Sequence, residues 1–136
     1  MLSSLFNATT IPVLEQVVGF AQDRHQVLAG NVANIDTPGY RTRDLSPELF
    51  EASLQRAMRK RDQGQQGASF GGAARSGDPF AAVRDDVKNM VRHDESNVGY
   101  EAQITELAKN QMTHNLAMSV LTNQFQLLGA AISERA

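Results

Sequence analysis

The chain has 136 residues, of which 21% are charged and 41% hydrophobic, and its net charge is -2. That length holds one domain, and a charge so near balance exerts no general pull toward nucleic acid or an anionic membrane. The absence of cysteine excludes disulfides, thiol catalysis and thiolate metal sites together.

The first residues, Met1 to Thr10, lack a basic region followed by a long apolar core, so they do not read as a secretory signal. No stretch approaches the ~18 apolar residues of a membrane span. The sequence therefore predicts neither a Sec-type exit nor a membrane anchor.

Residues 11–35 predict a helix. Ile11, Leu14, Val18, Ala21, His25, Leu28, Val32 and Ile35 recur at alternating spacings of three and four, the seam of a helix packed on another helix. Thr10 is placed to cap it, and Pro12 is tolerated in its first turn. A turn segment over 36–45 follows, and then a variable middle over 46–93. In that middle, Ser46-Pro47-Glu48 reads as an N-cap, a first-turn proline and a first-turn acid. Leu49, Phe50, Leu54, Ala57 and Met58 carry a short helix over roughly 47–60. Residues 62–79 hold five of the ten glycines and one large apolar side chain, Phe70. Such a stretch cannot offset its ordering entropy by burial and predicts a mobile loop. Over 80–93, Phe80, Val83, Val87 and Met90 fit a helix, while Val87–Val91 also fits a short strand.

A second long helix is predicted over 97–133. Its seam is Ile104, Leu107, Gln111, His114, Met118, Leu121, Phe125, Leu128 and Ile132. Leu116, Val120, Leu127 and Ala131 lie off that stripe, which implies contact with more than one neighbour. Asn97 is a candidate N-cap, with Glu101 and Glu106 toward the dipole-favoured end. The predicted fold class is mainly α: long N- and C-terminal helices pairing as a coiled-coil-like hairpin, with a short irregular middle. Two helices alone bury too little to offset the entropy of ordering them, so both seams call for partners, from the middle segment or from other chains.

The junction after the first helix is Asn31-Val-Ala-Asn34-Ile-Asp36-Thr37-Pro38-Gly39-Tyr40. Pro38 disfavours helical geometry at Thr37 and ends the helix. Pro38-Gly39 fits the centre of a type II turn, with glycine at positive φ. Tyr40 then sits where it can bury its ring and pair its hydroxyl.

Those ten residues closely resemble the N-terminal signature of the flagellar rod and hook protein family. The run Glu106-Leu-Ala-Lys-Asn-Gln-Met-Thr-His-Asn115, with Leu121-Thr-Asn-Gln-Phe125 and Leu128, resembles the C-terminal helix of the family's proximal-rod members, as does the short middle. The likeness covers roughly residues 10–50 and 94–133. One departure is Gly99, where relatives commonly carry an acidic residue; it weakens the helix start and moves it one or two residues later.

The resemblance implies a single rod-type domain over 1–136 and a structural, non-enzymatic role in the basal body. It implies export through the flagellar type III apparatus without a cleaved signal, polymerisation on the periplasmic side of the inner membrane, and torque transmission. Its implied partners are further copies of the chain, other rod proteins (FlgC-, FlgF-, FlgG- and FliE-like) and the export apparatus. It implies no cofactor, metal, nucleic acid or small-molecule substrate. The signature residues are Asn31, Asn34, Asp36, Thr37, Pro38, Gly39 and Tyr40. The subunit-packing candidates are Leu14, Val18, Leu28, Val32, Ile104, Leu107, Met118, Leu121, Phe125 and Leu128. A FlgC-like sibling shares the N-terminal signature, but its serine-, arginine- and tyrosine-rich C-terminal run is missing. A free-standing helical adaptor is the alternative from another class.

Other clusters read as surface. His93-Asp94-Glu95 are adjacent and do not converge as spaced ligands do. Asp85-Asp86 read as a solvated face. Arg56, Arg59, Lys60 and Arg61 form a basic helix end without interleaved aromatics. His25 and His114 fall on the seams. If residue 11 pairs near residue 132, His25 lies near Met118 and His114 near Ala29, and two readings stand open: a buried polar layer that sets register, or histidines at the seam's edge.

Overall fold

The structure is a computed structural model that describes residues 10–66, 80–87, 91–93 and 99–134. In chain order the elements are α1 (Ile11–Ala33), β1 (Arg43–Leu45), α2 (Pro47–Gln66), α3 (Ala81–Val87), β2 (Val91–His93) and α4 (Tyr100–Ser133). The class is mainly α. Antiparallel α1 and α4 form the long hairpin; β1, α2 and α3 pack against α1, and β2 pairs with β1.

α1 runs ~35 Å and α4 ~51 Å at 1.5 Å per residue. α1 begins with a proline in its first turn. Thr10 makes no side-chain cap and is itself near-helical, at φ -79 and ψ -4; its carbonyl accepts from the Leu14 N–H instead. α1 stops at Ala33, two residues short of the predicted end. Asn34 is the C-cap, and its side chain donates to the Gly30 carbonyl at 2.8 Å. A local side-chain bond of this kind competes with further helix.

β1 and β2 form a two-stranded antiparallel ladder, with Arg43 opposite His93 and Leu45 opposite Val91. The predicted turn segment 36–45 thus ends in a strand. Over 80–93, the helix reading holds for Ala81–Val87, whereas the strand lies at Val91–His93 and shares only Val91 with the expected Val87–Val91; Met90 lies outside the described residues.

α2 starts as its sequence predicts. The Ser46 Oγ accepts from the Leu49 N–H and donates to Glu48, and the Ser46 carbonyl accepts from the Phe50 N–H. The helix then continues to Gln66, beyond the predicted end near 60 and into the predicted loop; residues 67–79 lie outside the described residues. The extra turns place Arg56, Arg59, Lys60 and Arg61 in mid-helix rather than at its C-terminus. α4 begins at Tyr100 rather than at residue 97, with Gly99 as N-cap residue. The candidate cap Asn97 is outside the described residues.

The apolar core lies between α1 and the middle elements, not between the two long helices. Phe20 of α1 joins Leu45, Phe50, Ala57, Phe80, Val83 and Val87, with Val13, Val17, Val27, Leu54 and Met58 packed around them. The Phe20 and Phe50 rings stack at 4.1 Å between centroids and 10° between planes. Each buried ring contributes ~1.5–3 kcal/mol by removal from water. The middle segment is therefore one of the partners that α1 requires.

Candidate assembly interface

α1 meets β1 and α4 along one line of polar side chains. Arg24 and Asn31, two turns apart on α1, stand on that line. Arg24 forms a bidentate pair with Asp44 of β1 (Nε to Oδ1 2.9 Å, Nη2 to Oδ2 2.7 Å) and reaches Glu106 of α4 at 3.0 Å. Its side chain is buried, so the guanidinium depends on these partners. The hydrogen bond to Asp44 is the main cause that holds its pKa above the ordinary arginine value, against the opposing pull of burial. Glu106 also accepts from Lys109 at 2.9 Å. Lys109 first, and Arg24 second, hold the Glu106 carboxyl below the usual carboxylate range.

Asn31 is 0% exposed. Its Nδ2 donates to the Arg43 carbonyl and to Oε1 of Gln103 (3.1 Å). Its Oδ1 accepts from the Tyr40 hydroxyl and the Arg43 N–H, both at 3.1 Å. One amide thus uses both donor hydrogens and accepts two bonds, and it ties α1 to the turn, to β1 and to α4. The turn is as its sequence predicts: Tyr40 N–H bonds back to the Thr37 carbonyl at 3.1 Å, and Gly39 has φ +78. Asn34, Asp36, Thr37, Pro38 and Gly39 are exposed, while Tyr40 is half-buried.

The third polar tie is Asn110, buried, whose Nδ2 donates to the Ala21 carbonyl at 2.7 Å. Asn31–Gln103, Arg24–Glu106 and Ala21–Asn110 together define the register, in which Ile11 falls near residue 120. The pairing of residue 11 near residue 132 is corrected by about three turns. A polar layer does lie along the seam, but its members are Arg24, Asn31, Gln103 and Asn110 rather than the histidines. His25 and His114 instead line one cleft of about 420 Å³ beside the seam, with Asp23, Gln22 and Gln111 on its walls. Both rings are half-buried, and the Nδ1 of His114 is buried without a hydrogen-bond partner. No three His, Asp or Glu side chains converge on a metal position among the described residues.

Periodicity found half of each seam. In α4 the buried residues are Gln103, Asn110 and Ala117, a seven-residue repeat, with half-buried Leu107 and His114 between them and half-buried Leu121 and Leu128 beyond. The apolar reading places Ile104, Gln111 and Met118 where the structure has Gln103, Asn110 and Ala117. In α1, likewise, Ala21 and Leu28 are buried as predicted, and Arg24 and Asn31 replace His25 and Val32. The heptad repeat of Gln103-Asn110-Ala117 is the signal that could have revealed the true seam.

Of the packing candidates, Leu28 is 1% exposed and lies within the chain. Leu14, Val18, Val32, Leu107, Leu121 and Leu128 are half-buried. Ile104, Met118 and Phe125 are exposed. With them, α4 exposes Leu116 (67%), Leu127 (64%), Ile132 (59%) and Met112. The residues from Leu121 onward project beyond Ile11, and the described elements leave much of this apolar surface open. Patches of this kind mark interaction surfaces.

Fold and site together define a helical-hairpin protein that is clasped at its elbow by buried polar ties and carries an uncovered apolar helix. In sequence the chain is FlgB-like. It is 27% identical over 127 residues to the flagellar basal body rod protein FlgB of Aquifex aeolicus (strain VF5), covering 93% of this chain and 94% of that one. It is 24% identical over 122 residues to FlgB of Escherichia coli (strain K12), covering 82% and 84%, and 27% identical over 120 residues to FlgB of Borrelia hermsii, covering 80% and 84%. No protein-family model and no solved structure matches the chain.

Proposed function

We propose that this chain is a structural subunit of the flagellar basal-body rod, of the FlgB type and in its proximal part. The similarity to FlgB proteins supports the rod reading at the level of the whole chain. The observation that carries the assembly reading is the apolar face of α4, where Leu116, Phe125, Leu127 and Ile132 stand exposed on a long helix. A subunit of a helical tube needs such a face; a self-contained monomer does not.

In this reading the subunit leaves the cell through the flagellar type III apparatus and assembles on the periplasmic side of the inner membrane. There it joins its own copies and FlgC-, FlgF-, FlgG- and FliE-like neighbours, and helps to transmit torque. Ile104, Met118 and Phe125 meet neighbouring subunits, and Leu121 and Leu128 extend that surface. The signature from Asn31 to Tyr40 serves as the elbow that holds α1, β1 and α4 at a fixed angle.

Deletion of the gene tests this, with basal bodies isolated and imaged. The expected result is loss of the rod and everything distal to it, restored by the intact gene, with the subunit found at the proximal end of the rod in a density map. Intact rods in the deletion strain overturn the proposal, and density elsewhere in the rod overturns the proximal placement in favour of a sibling position.

A further inference from the structure

Three turns further along α4, the side facing α1 becomes more apolar. Eleven residues advance a helix by three turns and rotate it by only ~20°. In a register slid by that amount, Leu121 stands where Asn110 is, Leu128 where Ala117 is, Phe125 where His114 is, and Met118 where Leu107 is. Removal of apolar area from water favours the slid register. It is also the register that matching apolar stripes predicts, with residue 11 near residue 132.

What opposes the slide is polar. Asn110 would leave the Ala21 carbonyl, Gln103 would leave Asn31, and Ala117 would stand where Glu106 meets Arg24. Asn31 and Arg24 are both buried, so each would lose a partner where water does not replace it. A polar side chain in a helical seam specifies register at a cost in stability.

We infer that Arg24, Asn31, Gln103 and Asn110 are the register-determining residues of this hairpin. They hold α4 three turns short of its apolar optimum. They thereby decide which residues project past Ile11: Leu121, Phe125, Leu128 and Ile132 remain outside the α1 contact rather than inside it. This inference concerns the single chain and stands independently of the rod reading.

The absence of cysteine makes the test direct. Glu15→Cys and Ala108→Cys place spin labels at two exposed sites, one on each helix. The distance is read by pulsed electron paramagnetic resonance on the full chain diluted in unlabelled protein. The parent gives one short distance. Gln103→Leu with Asn110→Leu shifts the main population ~10–15 Å longer, as a three-turn slide requires. Adding Leu121→Asn and Phe125→Asn returns it to the short distance. If the double leucine variant loses its helical circular dichroism, Asn110→Ala decides, with a second, longer distance appearing beside the parent one. A single unchanged distance in the folded double variant, or in folded Asn110→Ala where that variant decides, overturns the inference.

Discussion

Tyr40 donates its hydroxyl hydrogen to Oδ1 of Asn31 at 3.1 Å, across the turn that ends α1. Both residues belong to one short signature, and this bond closes it into a ring. The same Asn31 oxygen also accepts from the Arg43 N–H, so the elbow and the strand share one acceptor. Loss of the Tyr40 hydroxyl leaves Asn31 its other three bonds, whereas loss of the Asn31 amide releases turn, strand and α4 together.

Asn31→Ala is therefore expected to cost ~2–4 kcal/mol, since it leaves several buried groups without a partner. Tyr40→Phe should cost only ~1 kcal/mol. Urea denaturation followed by circular dichroism separates the two. Equal losses for the two variants would refute the hub role of Asn31.

The Phe20–Phe50 stack fastens the middle segment to α1. Phe50→Ala is expected to destabilise the chain by ~3–5 kcal/mol and to raise hydrogen exchange across α2 and α3 more than in α4. A uniform rise over all helices would show that the middle segment does not unfold as a separate layer.

Acid should loosen the α1–α4 clasp through Glu106. Its pKa is lowered in the folded chain, by Lys109 first and Arg24 second. The stability it contributes is thus fully present above the ordinary carboxylate pKa and is lost as pH falls through the lowered value. Glu106 is partly exposed, so the effect is small, within ~1 kcal/mol. Glu106→Gln should flatten the acid limb of the stability profile, below the ordinary carboxylate pKa, and leave it unchanged at pH 7 and above apart from a constant offset. A variant profile parallel to the parent across the acid range contradicts this assignment.

Gly39 occupies φ +78 in the turn. Gly39→Val places a β-branched side chain in the left-handed region, at a cost of ~1–3 kcal/mol. Gly39→Asn should cost less, because asparagine tolerates that region. Thermal melts rank the three chains, and the proposed elbow role adds that motility falls in the same order. A valine variant as stable as the parent shows that the turn relaxes without cost.

The exposed face of α4 makes the opposite prediction. Leu116→Glu and Leu127→Glu change side chains that are 67% and 64% exposed. Each should alter monomer stability by no more than ~0.5 kcal/mol while blocking assembly in a swimming assay. Wild-type swimming by the double variant would remove this face from the proposed interface.

Much of the fold is legible along the chain. Pro12, Ser46-Pro47-Glu48 and Pro38-Gly39 mark starts and turns through local backbone geometry, and the structure places helices and turn at those points. Local rules fail where remote residues intervene. Arg24 and Asn31 lie off the apolar stripe of the first helix, yet both are buried, because Asp44, Glu106, Gln103, Tyr40 and Arg43 converge on them from distant parts of the chain. The α4 seam fails in the same way: apolarity selects Ile104 and Met118, while the hairpin buries Gln103 and Ala117 next to them.

The sequence by itself determined two long helices, the proline-glycine elbow and the mainly α class, since each follows from periodicity or the dihedral limits of neighbouring residues. Only the tertiary structure decided the register, the partners of Asn31 and Arg24, and which apolar residues of α4 remain exposed. Those depend on hydrogen bonds between residues as far apart as Asn31 and Gln103, and such pairings leave no trace in the spacing of apolar side chains.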